Sequence, residues 1–168
     1  MQPNIFKSAM FNGLIMGVLF SINFLLSISK ITFFVLLSYL MIVLIIALMY
    51  RMSIHFREVD CAGTIKYGKA FSFVLLTFFY ASLISAVVKY VYFQYINPGY
   101  LDLLLKESIK AAQMLKFNIN NDDYDKMSSF LKPAGFAIQY IWVDVFVGSI
   151  LGLLMAGFVK KDESIFEK

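Results

Sequence analysis

The stretch "YIWVDVFVGSILGLLMAG", residues 140–157, holds one carboxylate, Asp144, among apolar side chains. An ionised aspartate near the centre of a bilayer costs about 2.5–3.5 kcal/mol, so a chain keeps one where its surroundings offset that cost. Lys89 and Asn23 lie in other apolar segments of the chain, and Ser85 stands one helical turn before Lys89. A carboxylate beside an ammonium or amide is far cheaper to bury than one alone. The expected arrangement is an intramembrane polar cluster of Asp144, Lys89, Asn23 and Ser85. Its chemistry is either a protonation or ligand site or a pin that fixes helix register. The pin is the leading reading. A proton relay uses several carboxylates along a path, and no apolar segment shows the Gly/Pro interruption of a broken-helix transport site.

Other reactive side chains are sparse. Cys61 is the one cysteine and His55 the one histidine, which excludes an intrachain disulfide and a zinc-type ligand set. Asp122, Asp123 and Asp125 have the spacing of a cation loop but lack its later glycine and glutamate, so they read as a solvated, helix-starting cluster. "RMSIHFREVDCAGTIKYGKAF" gathers Arg51, His55, Arg57, Glu58, Asp60, Lys66 and Lys69. It is too short to wall off a substrate pocket, and it reads as a loop facing headgroups or a partner, with Glu58 or Asp60 pairing to Arg57 or Lys66. With no nucleophile–base pair and no cofactor motif, the expectation is a protein that is not an enzyme and holds no metal or cofactor.

The elements that must position these residues follow from composition. Of the 168 residues, 60% are hydrophobic, with Phe 18 and Tyr 10, the profile of an integral membrane protein. The net charge of +4 sits beside apolar spans, which points to lipid headgroups and not to nucleic acid. Spans are expected at residues 8–28, 31–50, 71–95 and 134–159, each about 20 residues or more, enough for roughly 30 Å of hydrocarbon. "SISK" is the polar punctuation between the first two, which should form a tight antiparallel hairpin. The first apolar stretch is longer than a signal-peptide core and is expected to stay in the mature protein.

Lys7, Arg51, Arg57, Lys66, Lys69, Lys160 and Lys161 fall on one side of the spans, so the positive-inside rule places both termini in the cytoplasm. The long connection, residues 96–133, balances its lysines with acidic residues and falls outside. In it Leu101, Leu105, Ile109 and Ala112 recur at helical spacing, opposite Asp102, Lys106, Glu107 and Lys110. A second short helix starts near Asn121 or Asp122 and runs toward Pro133, so the insert is a helical hairpin, or its first helix lies in the membrane interface. Tyr92, Phe93, Tyr95 and Tyr100 read as an interfacial aromatic belt.

Two rows of small residues repeat every four positions: Ala9, Gly13, Gly17 and Ser21 in the first span, and Gly148, Gly152 and Ala156 in the last. Such rows let backbones approach closely, so the first and last spans are expected to pack on each other.

An acidic residue and a glycine precede "GKAF" at the third span, whose aromatic exit ends in "INPGYLD"; a helical insert and "KPAGFAI" then lead into the last span. In order and spacing, over essentially the whole chain, these pieces resemble the bacterial membrane family catalogued as domain of unknown function 4199, found mainly in Bacteroidota. The resemblance implies four spans in a bacterial inner membrane and no particular activity. The expected fold is an all-α membrane domain of four transmembrane helices with two shorter helices between the third and fourth. The expected function is that of a non-enzymatic membrane subunit or scaffold of the cell envelope, working among membrane lipids with a membrane-protein partner or a second copy of itself. The alternatives are a small transporter or channel component using Asp144 and Lys89, or a protein that binds a lipid or isoprenoid.

Overall fold

The computed structural model describes residues 4–117 and 120–161. Among the described residues the regular elements are all helical, and four of the helices are long and apolar enough to cross a membrane. Helix α1 is Ile5–Ser27, started by the Asn4 side chain, which accepts from the Lys7 amide at 3.2 Å. Helix α2 is Thr32–His55, and it passes into a π-helical turn at Phe56–Asp60. Helix α3, Tyr67–Val91, ends in a second π-helical turn at Tyr92–Ile96. Helices α4 (Gly99–Met114) and α5 (Asn121–Phe130) form the insert, and α6 (Pro133–Val159) is the fourth span.

The second span runs well past the apolar stretch that announced it, to Asp60. Its buried stripe explains why: Ile45, Met49, Ser53 and Phe56 repeat at steps of four and three straight through the charged segment, while Arg51 and His55 face outward. A helix with one buried stripe tolerates polar residues on its other faces. It stops where Ala62 (φ 52°) and Gly63 (φ 83°) turn left-handed.

The described residues divide into two compact units, 4–85 with 142–161, and 86–141. In the first, the core centres on α3. Phe73 stacks on Phe56 with ring centroids 4.2 Å apart, and Phe78 meets Phe20 edge-on at 5.3 Å. The glycines of the two small-residue rows both face α3. A Cβ placed on Gly13 would lie 2.5 Å from Tyr80 Cβ and 3.1 Å from the Thr77 carbonyl, and one on Gly17 would lie 2.8 Å from Ile84 Cβ. On α6, a Cβ at Gly148 would come 2.5 Å from Phe78 Cβ, and one at Gly152 would come 3.1 Å from the Phe71 ring. The glycines expected to bring the first span against the last thus lie against α3. Ala9, Gly13, Gly17 and Ser21 belong to a buried face of α1 whose glycines abut α3, and Gly148, Gly152 and Ala156 belong to a buried face of α6 whose glycines abut α3 as well. Bulky side chains on α3 need a smooth partner surface on both flanks, and the two rows supply it.

In the second unit, Leu101 and Leu105 are the buried positions of α4, as its periodicity requires. Asn120 caps α5 in a capping box: its Oδ1 accepts from the Asp123 amide at 2.8 Å, and its own amide donates to the Asp123 carboxylate at 3.3 Å. Between α5 and α6 the chain turns so sharply that a Cβ on Gly135 would come within 3.0 Å of the Ser129 and Phe130 carbonyls. Phe93 departs from the expected belt. It is fully buried and touches Tyr92, Tyr100 and Phe136, so it is core, while Tyr95 stays exposed.

Candidate functional site

Three groups of residues carry polar chemistry. At the end of the bundle that holds the described ends of α1 and α6, the charged loop is pinned, not slack. The Arg57 guanidinium donates to Glu58 Oε1 at 2.6 and 2.9 Å and to the Val159 carbonyl at 3.0 Å. It thereby places a cation on the last turn of α6, where the helix dipole favours one. Ile65 and Lys161 exchange two backbone hydrogen bonds at 3.0 Å, and the Tyr67 hydroxyl donates to the Leu153 carbonyl at 2.9 Å. Asp60, expected near Arg57 or Lys66, instead accepts from the Ser8 hydroxyl at 3.1 Å. Cys61 is half-buried, and that burial pushes its thiol above the ordinary range; the nearby Lys69 cation opposes the rise. A thiol of this kind is a poor nucleophile at neutral pH.

Within the first unit, the sequence-expected polar residues are Asn23 on α1, Ser85 on α3 and Asp144 on α6. Asp144 is half-buried, and Ser85 is completely buried. Serines and threonines recur in the same interior. Ser21, Ser53 and Thr77 each return a hydrogen bond of 2.7 to 2.9 Å to the carbonyl four residues earlier, and Ser38 and Ser82 to the one three earlier. These bonds let a hydroxyl sit in an apolar interior without leaving its donor unmet.

Lys89 belongs to the second unit. It is 4% exposed, and its ammonium lies 4.3 Å from the centre of the Tyr140 ring. Tyr140 in turn packs on Phe136, and Phe136 on Phe93, with centroids 4.8 and 5.0 Å apart. A desolvated cation over an aromatic face gains on the order of 2 kcal/mol. Sequence reasoning singled out Lys89 but missed Tyr140 and Phe136. The available signal was aromatic spacing, since positions 136 and 140 are one turn apart at the start of the last span. Among the described residues, no group of three or more His, Cys, Asp or Glu side chains is placed to hold a metal ion.

Among the described residues, four helices long and apolar enough to cross a membrane, with buried serines and threonines between them, define a multi-pass integral membrane protein. Residues 9–161 match the family described as "Protein of unknown function (DUF4199)", and the chain belongs to that family. No curated protein and no solved structure matches it.

Proposed function

We propose that this chain is a non-enzymatic scaffold subunit of a bacterial inner membrane, with both termini in the cytoplasm, which stabilises a membrane-protein partner or a second copy of itself. The observation that carries the reading is the packing of α3 against glycines on both flanks, with no room for a methyl group at Gly13, Gly17 or Gly148. Alternating access requires one group of helices to rock against another. Interlocked contacts at Cβ distance resist such sliding, because a small displacement drives side chains into backbone. This supports a static bundle over the small-transporter reading. Helix α2 supplies a surface for a partner: Phe33, Leu36, Tyr39, Leu40 and Val43 are all more than 60% exposed.

A second reading, a protein that holds a lipid or isoprenoid, is favoured by Met114, Leu115 and Phe117. These large apolar side chains at the end of α4 are 83%, 72% and 65% exposed. The deciding experiment is purification of the full chain from native membranes in mild detergent, with protein and lipid mass spectrometry, followed by flux assays in liposomes. A stoichiometric protein partner or stable homo-oligomer, with no flux, is the expected result. A solitary protein that conducts or transports would overturn the scaffold. A solitary protein carrying one lipid species would replace it with the second reading.

A further inference from the structure

Ser85 breaks the pattern of its neighbours. Among the described residues, the side-chain oxygens of Asn23 and Ser85 are the buried polar atoms to which no protein group hydrogen-bonds. Any helical serine can bond back to the preceding turn, as Ser21, Ser53, Thr77 and Ser82 do, yet Ser85 forgoes that bond while completely buried. Such groups in a native interior call for a partner of another kind.

Helix register brings the two oxygens to one level. Gly13 abuts Thr77 and Tyr80, and Gly17 abuts Ala81 and Ile84, so each step of four on α1 matches a step of four on α3. The next step puts Ser21 at the level of Ser85. Asn23 lies half a turn further on, and helical side chains lean back toward the N-terminus, which returns its amide to the level of Ser85. The Phe20–Phe78 contact fixes the facing sides: Asn23 is three residues past Phe20, and Ser85 is seven past Phe78, so both project from faces already in contact. On α6, Gly152 meets Phe71 and Val74, and Gly148 meets Phe78. One further step puts Asp144 at the level of Ser82, with its side chain leaning toward the Ser85 level.

We infer that Asn23 and Ser85 together bind an internal water molecule in a polar layer completed by Asp144. Asn23 Oδ1 only accepts, so its partner must donate; Ser85 Oγ both donates and accepts. Water meets both needs, and two to four polar partners are what a buried water requires. A bare hard cation fits less well, because such ions take six or more oxygens and, besides Ser21 and Ser82, whose hydroxyls bond back to their own helices, this layer offers two neutral oxygens and one carboxylate. The water site is independent of the scaffold role.

The test is thermal unfolding of the full chain in lipid nanodiscs, together with radiolytic hydroxyl labelling read by mass spectrometry. Ser85→Ala and Asn23→Leu each remove a ligand of the water, so each should lower Tm by about 2–4 °C. The double variant should be no worse than the poorer single one, because the shared ligand is already gone. Phe20 and Ile84 should be labelled in the parent despite their partial burial, and Ser85→Ala should abolish that labelling. A rise or no change in Tm for Ser85→Ala would mean a dry, unsatisfied hydroxyl and would overturn the proposal. So would an unlabelled parent, or a stabilisation by sodium over potassium at equal ionic strength, which would make the guest a cation. Should Asn23→Leu fail to fold, Ser85→Ala with the labelling decides the matter.

Discussion

Gly148 and Gly157 lie in the same helix and have opposite surroundings. A methyl group at Gly148 would sit 2.5 Å from Phe78 Cβ, an atom fixed to the α3 backbone, whereas one at Gly157 would meet nothing within 4 Å. Gly148→Ala must therefore push α6 off α3 and should cost about 1–3 kcal/mol. Gly157→Ala should be neutral, or stabilising by up to about 1 kcal/mol, because alanine holds a helix better than glycine. Thermal unfolding of both variants in one detergent checks the contrast, and equal behaviour would refute the assigned face. The small-residue spacing was legible in the sequence, but the facing helix was not. A glycine row announces only that something comes close, and α3 carries Phe71, Phe78 and Tyr80, the bulk that the rows exist to receive. For the same reason Asp144, Lys89, Asn23 and Ser85 were readable as costly residues in apolar spans, while the ring under Lys89 was not. Which neighbours a side chain meets depends on helix rotation, which hydropathy leaves open.

Helix ends were the least legible feature. Hydropathy stops at Tyr50, but the hydrogen-bond ladder continues to Asp60, because the buried stripe through Met49, Ser53 and Phe56 persists beneath the charges. That extension lifts Arg57 to the end of α6, where it bonds the Val159 carbonyl at 3.0 Å. With the Ile65–Lys161 bridge beside it, this contact holds the last turn of α6 in place. Arg57→Ala should fray that turn: amide exchange at residues 157–161 should accelerate about tenfold, while exchange at the middle of α6 stays unchanged. Arg57→Lys keeps the charge but loses the fork that reaches Glu58 and Val159 together, so it should recover only part of the protection. Unchanged exchange in both variants would leave the backbone bridge alone as the clasp.

At the scale of the molecule, the distribution of charge predicts which way the bundle faces. Lys7, Arg51, Arg57, Lys66, Lys69, Lys160 and Lys161 gather at one end, whereas the insert carries its lysines among acidic residues. Orientation follows the lysine and arginine bias of short loops near the spans, and long connections weigh little, so the α2–α3 end should be cytoplasmic. Single-cysteine labelling in intact cells tests this, but Cys61 itself is a poor reporter. Burial raises its thiol, so its thiolate is scarce at neutral pH and its labelling should speed up as pH rises. Lys69→Met removes the opposing cation and should slow it further. Better reporters in a Cys61→Ser background are Gly68→Cys, where an added Cβ meets nothing within 4 Å, and Tyr124→Cys, at a side chain 48% exposed. A membrane-impermeant maleimide should label position 124 in intact cells and position 68 only after permeabilisation. The reverse pattern would invert the bundle and put its charged clasp, with Arg57 and the Ile65–Lys161 bridge, on the outside.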